Sequence, residues 1–169
     1  MRCIYLLLFI TFTGNLQGQN LEELERRKGF KDIKLESNIN EIEGAEFKKD
    51  IKEAHKFDAK LYLVKNENYS SIGDIKVRTI ELKVYNDKIY EINLVTDKDT
   101  RLMKSLEEAF GKAQYNVRAD SYQWYAETLS LSFTSKSKKE LQLVYRSASI
   151  IKEMSEDKKE DIKKISSDF

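Results

Sequence analysis

Side chains that could do chemistry are few in this chain, and they stand apart. His55 is the only histidine, and it lies in the charged run Lys52-Glu53-Ala54-His55-Lys56. A transition-metal site normally draws on several His or Cys ligands, and the only cysteine is Cys3. A serine nucleophile would need His55 as its base, yet no Gly-x-Ser-x-Gly turn occurs. His55 therefore reads as a solvated surface residue. Asp97-Lys98-Asp99 offers the oxygen ligands that calcium takes, but the central Gly and closing Glu of a calcium loop are missing. These aspartates read more simply as caps for the helix that follows. Gly73 and Gly111 stand singly, so neither begins a phosphate-cradling or dinucleotide turn. No catalytic, cofactor-binding or metal-ligating residue is assigned. Two carboxylates could still hydrolyse a glycan, since there are 29 acidic residues, and the separation of about 5–9.5 Å that such chemistry needs is one of space.

Recognition has a better candidate. Tyr115, Tyr122, Trp124 and Tyr125 fall within eleven residues, beside Arg118 and Asp120. Tyr, Trp and Arg anchor interfaces because they bury large area and keep a polar handle. Alternation puts Tyr122 and Trp124 on one face and Tyr125 on the other, and Trp124 is expected in the core. Tyr115, Arg118 and Tyr125 are then the partner-binding candidates, with Tyr69 in an earlier loop as an extension of the same surface.

The first residues give an address. Met1-Arg2, the apolar run Ile4 to Ile10, and small residues at Gly14 and Gly18 follow the layout of a secretory signal peptide. The apolar run is shorter than the roughly 20 residues of a spanning helix. Cleavage is expected near Gly18, leaving the product in the periplasm or the medium with no stable membrane anchor. Removing residues 1–18 takes one of the 30 basic residues and leaves as many as the 29 acidic ones, together with no cysteine. Signs are interspersed, so no basic stripe invites nucleic acid, and no disulfide can form. Oligomeric state is not legible.

The elements that must position these residues follow from pattern. Residues 19–28 read as a loose, charged lead-in and 29–169 as one domain. Gly29 to Leu35 reads as a short strand, and Asn38 with Glu41 as a capping box for a short helix Ile39 to Glu43 that Gly44 stops. Residues 45–58 are ambiguous, with Phe47, Ile51 and Ala54 at helical spacing. A strand is expected over Ala59 to Val64. In the segment 76–95, Ile80, Leu82 and Val84 alternate, then Tyr90, Ile92 and Leu94. A three-residue loop Asn86-Asp87-Lys88 sets Val84 opposite Tyr90, Leu82 opposite Ile92 and Ile80 opposite Leu94. A helix near 100–110 buries Leu102, Met103, Leu106, Ala109 and Phe110, and Gly111 ends it. A second hairpin pairs Leu129, Leu131 and Phe133 with Leu141, Leu143 and Tyr145. A last helix is expected over 155–166, contacting through Ile162 and Ile165, with Phe169 docking back. The fold class is α+β: an antiparallel sheet built from two hairpins with helices packed on one face.

Gly29-Phe30-Lys31-Asp32-Ile33-Lys34-Leu35, Ile80-Glu81-Leu82-Lys83-Val84 with Lys88-Ile89-Tyr90, and Ala109-Phe110-Gly111-Lys112 ahead of Tyr122-Gln123-Trp124 carry a resemblance. Over most of 29–150 the chain resembles small exported envelope proteins of the helix-plus-hairpin group around the beta-lactamase-inhibitor-like fold and the outer-membrane assembly lipoproteins. The Gly18-Gln19 junction looks like leaders of Bacteroidetes-type bacteria. The lipobox and cysteine pairs of that group are missing here, so neither membrane anchoring nor inhibitor function is implied. The expected function is an exported, non-catalytic binding module that docks an envelope protein, without cofactor. The alternatives are a carboxylate-based glycan hydrolase and a small-ligand carrier with its pocket between sheet and helix.

Overall fold

Asn20 starts the order: its side chain accepts the Glu23 amide and caps the first helix, α1 (Leu21–Arg27). The computed structural model describes residues 20–53 and 57–167, so the expected leader, His55 and Phe169 lie outside the described residues. Glu22 and Glu23 in the first turn of α1 and Arg26 and Arg27 in its last complement the helix dipole. Leu24 is fully buried. What reads in sequence as a loose lead-in is therefore a capped, packed helix.

The expected strand Gly29 to Leu35 is instead a tight ribbon of β1 (Gly29–Phe30) and β2 (Ile33–Lys34), turning at Lys31 and Asp32. Gly29 is required there, because a Cβ would lie 2.2 Å from the Ile33 carbonyl oxygen and 3.1 Å from Ile92 Cδ1. Asn38 caps only a single 3-10 turn, Ile39–Glu41, shorter than the helix expected. The ambiguous stretch is an edge strand, β3 (Ala45–Glu53), followed by β4 (Phe57–Val64), the short β5 (Ser71–Ile72), β6 (Ile75–Tyr85) and β7 (Lys88–Asp97). Asp99 caps α2 (Thr100–Phe110), and Gly111, at φ 74°, ends it. Four more strands follow: β8 (Gln114–Asn116), β9 (Ser121–Tyr125), β10 (Leu129–Ser135) and β11 (Glu140–Ser147). α3 (Ala148–Ser166) begins at the Ser147 cap, well before Ser155, and it packs through Ile150 and Met154 while Ile162 and Ile165 are exposed.

All pairings are antiparallel, in the order β3-β4-β6-β7-β11-β10-β9-β8, with β5 beside β6. The sheet is more than two hairpins. A helix followed by a four-stranded meander occurs twice, and the two meanders meet where their last strands, β7 and β11, pair. Ile80 opposes Leu94 and Leu82 opposes Ile92, as expected, but the register shifts after Lys83 and Val84 faces Ile89. The turn is the two residues Asn86 and Asp87, both at positive φ, a geometry that matches strand twist. The shift carries Tyr90 out of the main core. It packs instead with Ala59, Ile150 and Met154 in a second cluster. The main cluster holds Leu24 of α1 and Leu102 and Phe110 of α2 against Ile80, Leu82, Ile92, Leu94, Leu131 and Leu143. The helices thus divide between two apolar clusters.

Candidate functional site

A cavity of about 450 Å³ opens between the sheet, α2 and the β1–β2 ribbon. Leu143 and Tyr145 of β11 line it from the sheet, Leu102, Ser105, Leu106, Ala109 and Phe110 from α2, and Gly29 and Phe30 from the ribbon; Ile72 and Gly73 complete the apolar part. The α2 residues converge because 3.6-residue periodicity puts 102, 106, 109 and 110 on one stripe. That size and lining are typical of small-molecule sites, which set a few polar groups in a mostly apolar wall. Tyr145 is 5 % exposed, and its hydroxyl has no hydrogen-bond partner among the described residues. Burial pushes its phenol up to about 12, against the opposing field of Arg27, so it stands neutral as a donor and acceptor.

Three cations and no carboxylate line this cavity: Arg27, Lys31 and Lys34. The Arg27 guanidinium lies 5.5 Å over the Phe110 ring, and its Nε donates to Glu23 at 2.6 Å. Glu23 is held down to about 2 by its hydrogen bonds with Arg26 and then Arg27. Lys34 Nζ donates to the carbonyls of Arg27, at 2.8 Å, and Lys31. Lys31 Nζ donates to the Asn68 carbonyl and sits over the Phe30 ring. Neither lysine has a carboxylate partner among the described residues.

Alternate residues of the same strands build a different surface on the opposite face of the sheet. Lys83, Glu91 and Arg146 sit side by side on β6, β7 and β11. Glu91, 4 % exposed, takes Lys83 Nζ on Oε1 at 3.1 Å and Arg146 Nε on Oε2 at 2.9 Å. Glu53 accepts from Lys83 at 2.7 Å and from the Tyr90 hydroxyl at 3.0 Å. Burial works to lower the Lys83 ammonium, but Glu53 and Glu91 outweigh it and leave it raised. Burial and then Glu53 push the Tyr90 phenol up. Two acids and two bases are matched here, which leaves no unpaired charge for a ligand.

The partner-binding candidates are not brought together. Tyr115 opposes Tyr122 across β8 and β9, with ring centroids 5.1 Å apart, and its hydroxyl donates to Asp120 at 2.6 Å. Opposed residues share a face, so Tyr115 lies with Tyr122 and Trp124, and Tyr125 lies on the other side. Arg118 is exposed in the β8–β9 turn. Tyr69 is 4 % exposed with its hydroxyl on Asp32 at 2.9 Å, so it cannot extend a surface. Trp124 is fully buried as expected, with Nε1 donating to the Gly111 carbonyl at 2.8 Å. Asp99 caps α2 and Asp97 pairs with Arg78. Among the described residues no group of three or more His, Cys, Asp or Glu could hold a metal ion, and no helix is long and apolar enough to cross a membrane.

Sequence reasoning missed Arg27, Lys31, Lys34, Leu106 as a cavity wall, and Tyr145. Lys31 and Lys34, three apart beside Phe30, carried a signal only in hindsight of the ribbon, because Asp32 between them is drawn off to Tyr69. Comparison with protein-family models, curated proteins and solved structures finds no match to this chain.

Proposed function

We propose that the protein is an exported, non-catalytic module that carries a small ligand in the cavity between α2 and the sheet. One observation carries this reading: a largely apolar cavity of about 450 Å³ with Tyr145 on its wall, whose hydroxyl has no partner among the described residues. A small domain that closed this gap would gain contact energy, so an open apolar cavity points to an occupant. Docking of an envelope protein loses support, because Tyr115 and Tyr125 stand on opposite faces.

The test is binding of the neutral apolar fluorophore N-phenyl-1-naphthylamine, with Leu106→Trp as the filled-cavity variant. Saturable fluorescence enhancement that Leu106→Trp abolishes, in a variant that still melts cooperatively, is the expected result. Enhancement that is absent, or unchanged by the substitution, would overturn the reading.

A further inference from the structure

Of the three cations that line this cavity, Arg27 is paired with Glu23, and no carboxylate in the lining pairs the other two. Lys83, Arg146, Arg78 and Arg101 each have a carboxylate partner. Lys31 and Lys34, by contrast, donate only to backbone carbonyls, which leaves their positive charge uncompensated. An ammonium has three donors, so each lysine keeps hydrogen-bonding capacity beyond the contacts it makes. Leu102, Phe110 and Leu143 of the apolar wall are buried and Leu106 and Ala109 half-buried, while Lys31 is exposed and Lys34 half-buried, so charge stands toward the solvent side and the most buried hydrocarbon inside.

We infer that the occupant is a single-chain amphiphile with a carboxylate end, of the fatty-acid class, whose chain lies against Leu106 and Phe110 and whose carboxylate meets Lys31 and Lys34. This rests on the carrier reading and adds the ligand's charge and polarity. The volume lies toward the small end of the roughly 300–1,000 Å³ range of ligand cavities, which suits one chain rather than a two-chain membrane lipid. The free carboxylate, which needs no membrane, is therefore the source. Tyr145 adds a neutral donor at the wall. It is a polar contact on the lining and not a charge partner.

Full-length processed protein is titrated with dodecanoate, dodecanol and dodecyltrimethylammonium, each displacing N-phenyl-1-naphthylamine. Dodecanoate is expected to bind tightest and the cation weakest, with the dodecanoate preference shrinking as salt rises. In the double variant Lys31→Gln, Lys34→Gln, dodecanoate affinity falls about tenfold or more, the usual size of a lost charged hydrogen bond, while dodecanol affinity is unchanged. Equal affinities for all three ligands, or an unchanged dodecanoate affinity in the double variant, would overturn the charge assignment and leave the carrier reading standing. No displacement by any ligand would overturn both. Vesicles of phosphatidylglycerol that displace the fluorophore better than dodecanoate would overturn the free-carboxylate source.

Discussion

The two faces of the sheet use the same strands and treat charge in opposite ways. On one, Glu91 lies between Lys83 and Arg146, and Glu53 completes the set with Tyr90. On the other, Lys31 and Lys34 flank an apolar cavity with no carboxylate in its lining. Charge that is matched within the fold holds the fold together. Charge left unmatched beside a cavity is available to a ligand. Mutations on the first face should change stability and those on the second should change binding.

The largest expected effect is on the matched face. Glu91→Gln leaves Lys83 and Arg146 without their shared partner and should lower unfolding free energy by about 3 kcal/mol, as removal of one member of a buried pair does, read by urea denaturation. A loss under about 1 kcal/mol would break the comparison from that side. The same face sets the acid response. Burial pushes the Glu53 carboxyl up, but the hydrogen bond and charge of Lys83, with Tyr90 and Arg146, together outweigh it and hold it below its ordinary 4.5. A depressed folded pKa contributes stability that is complete above the unfolded value and is lost as pH falls through the folded one. Stability should therefore fall below about pH 4.5, and Glu53→Gln should flatten that slope in acid melts.

Next is the ribbon that carries the lysines. Gly29→Ala drives a Cβ onto the Ile33 carbonyl and should destabilise by more than about 1 kcal/mol, seen as a lowered melting midpoint. Tyr145→Phe removes a hydroxyl that has no partner among the described residues, so the ligand-free protein should lose no stability, within about 1 kcal/mol. A loss instead would show that the hydroxyl is bonded within the fold. The smallest effect belongs to Lys31→Gln with Lys34→Gln, which should leave stability within about 0.5 kcal/mol while changing ligand preference.

Much of the scaffold is legible in the sequence where a strand or helix has one wet and one dry side. Ile80, Leu82, Ile92 and Leu94 alternate and pair as read, Leu102 to Phe110 form the α2 stripe, and Leu131 and Phe133 oppose Tyr145 and Leu143. The pattern misleads at Tyr90 because the two-residue turn at Asn86 and Asp87 moves the register by one, and a one-residue slip exchanges faces. It is silent at β3, an edge strand whose Lys48, Lys49 and Asp50 are exposed, as edges protected by charge are. α1 is hidden because Leu24 is its only buried residue. A pocket between sheet and helix is among the alternatives the sequence offers, but its lining is not legible: Arg27, Lys31 and Lys34 look like any mixed-charge surface until the ribbon brings them beside α2 and β11. Tyr115 and Tyr125 are exposed, as the pattern suggests, but they lie on opposite faces because Tyr115 pairs across from Tyr122.

The most direct test of the central claim is an amide chemical-shift map of the labelled protein titrated with dodecanoate. Shifts are predicted at Lys31, Lys34, Leu106, Ala109 and Tyr145, with Glu53, Lys83 and Arg146 undisturbed. Shifts concentrated around Glu53, Lys83 and Arg146, or none at saturating ligand, would contradict it.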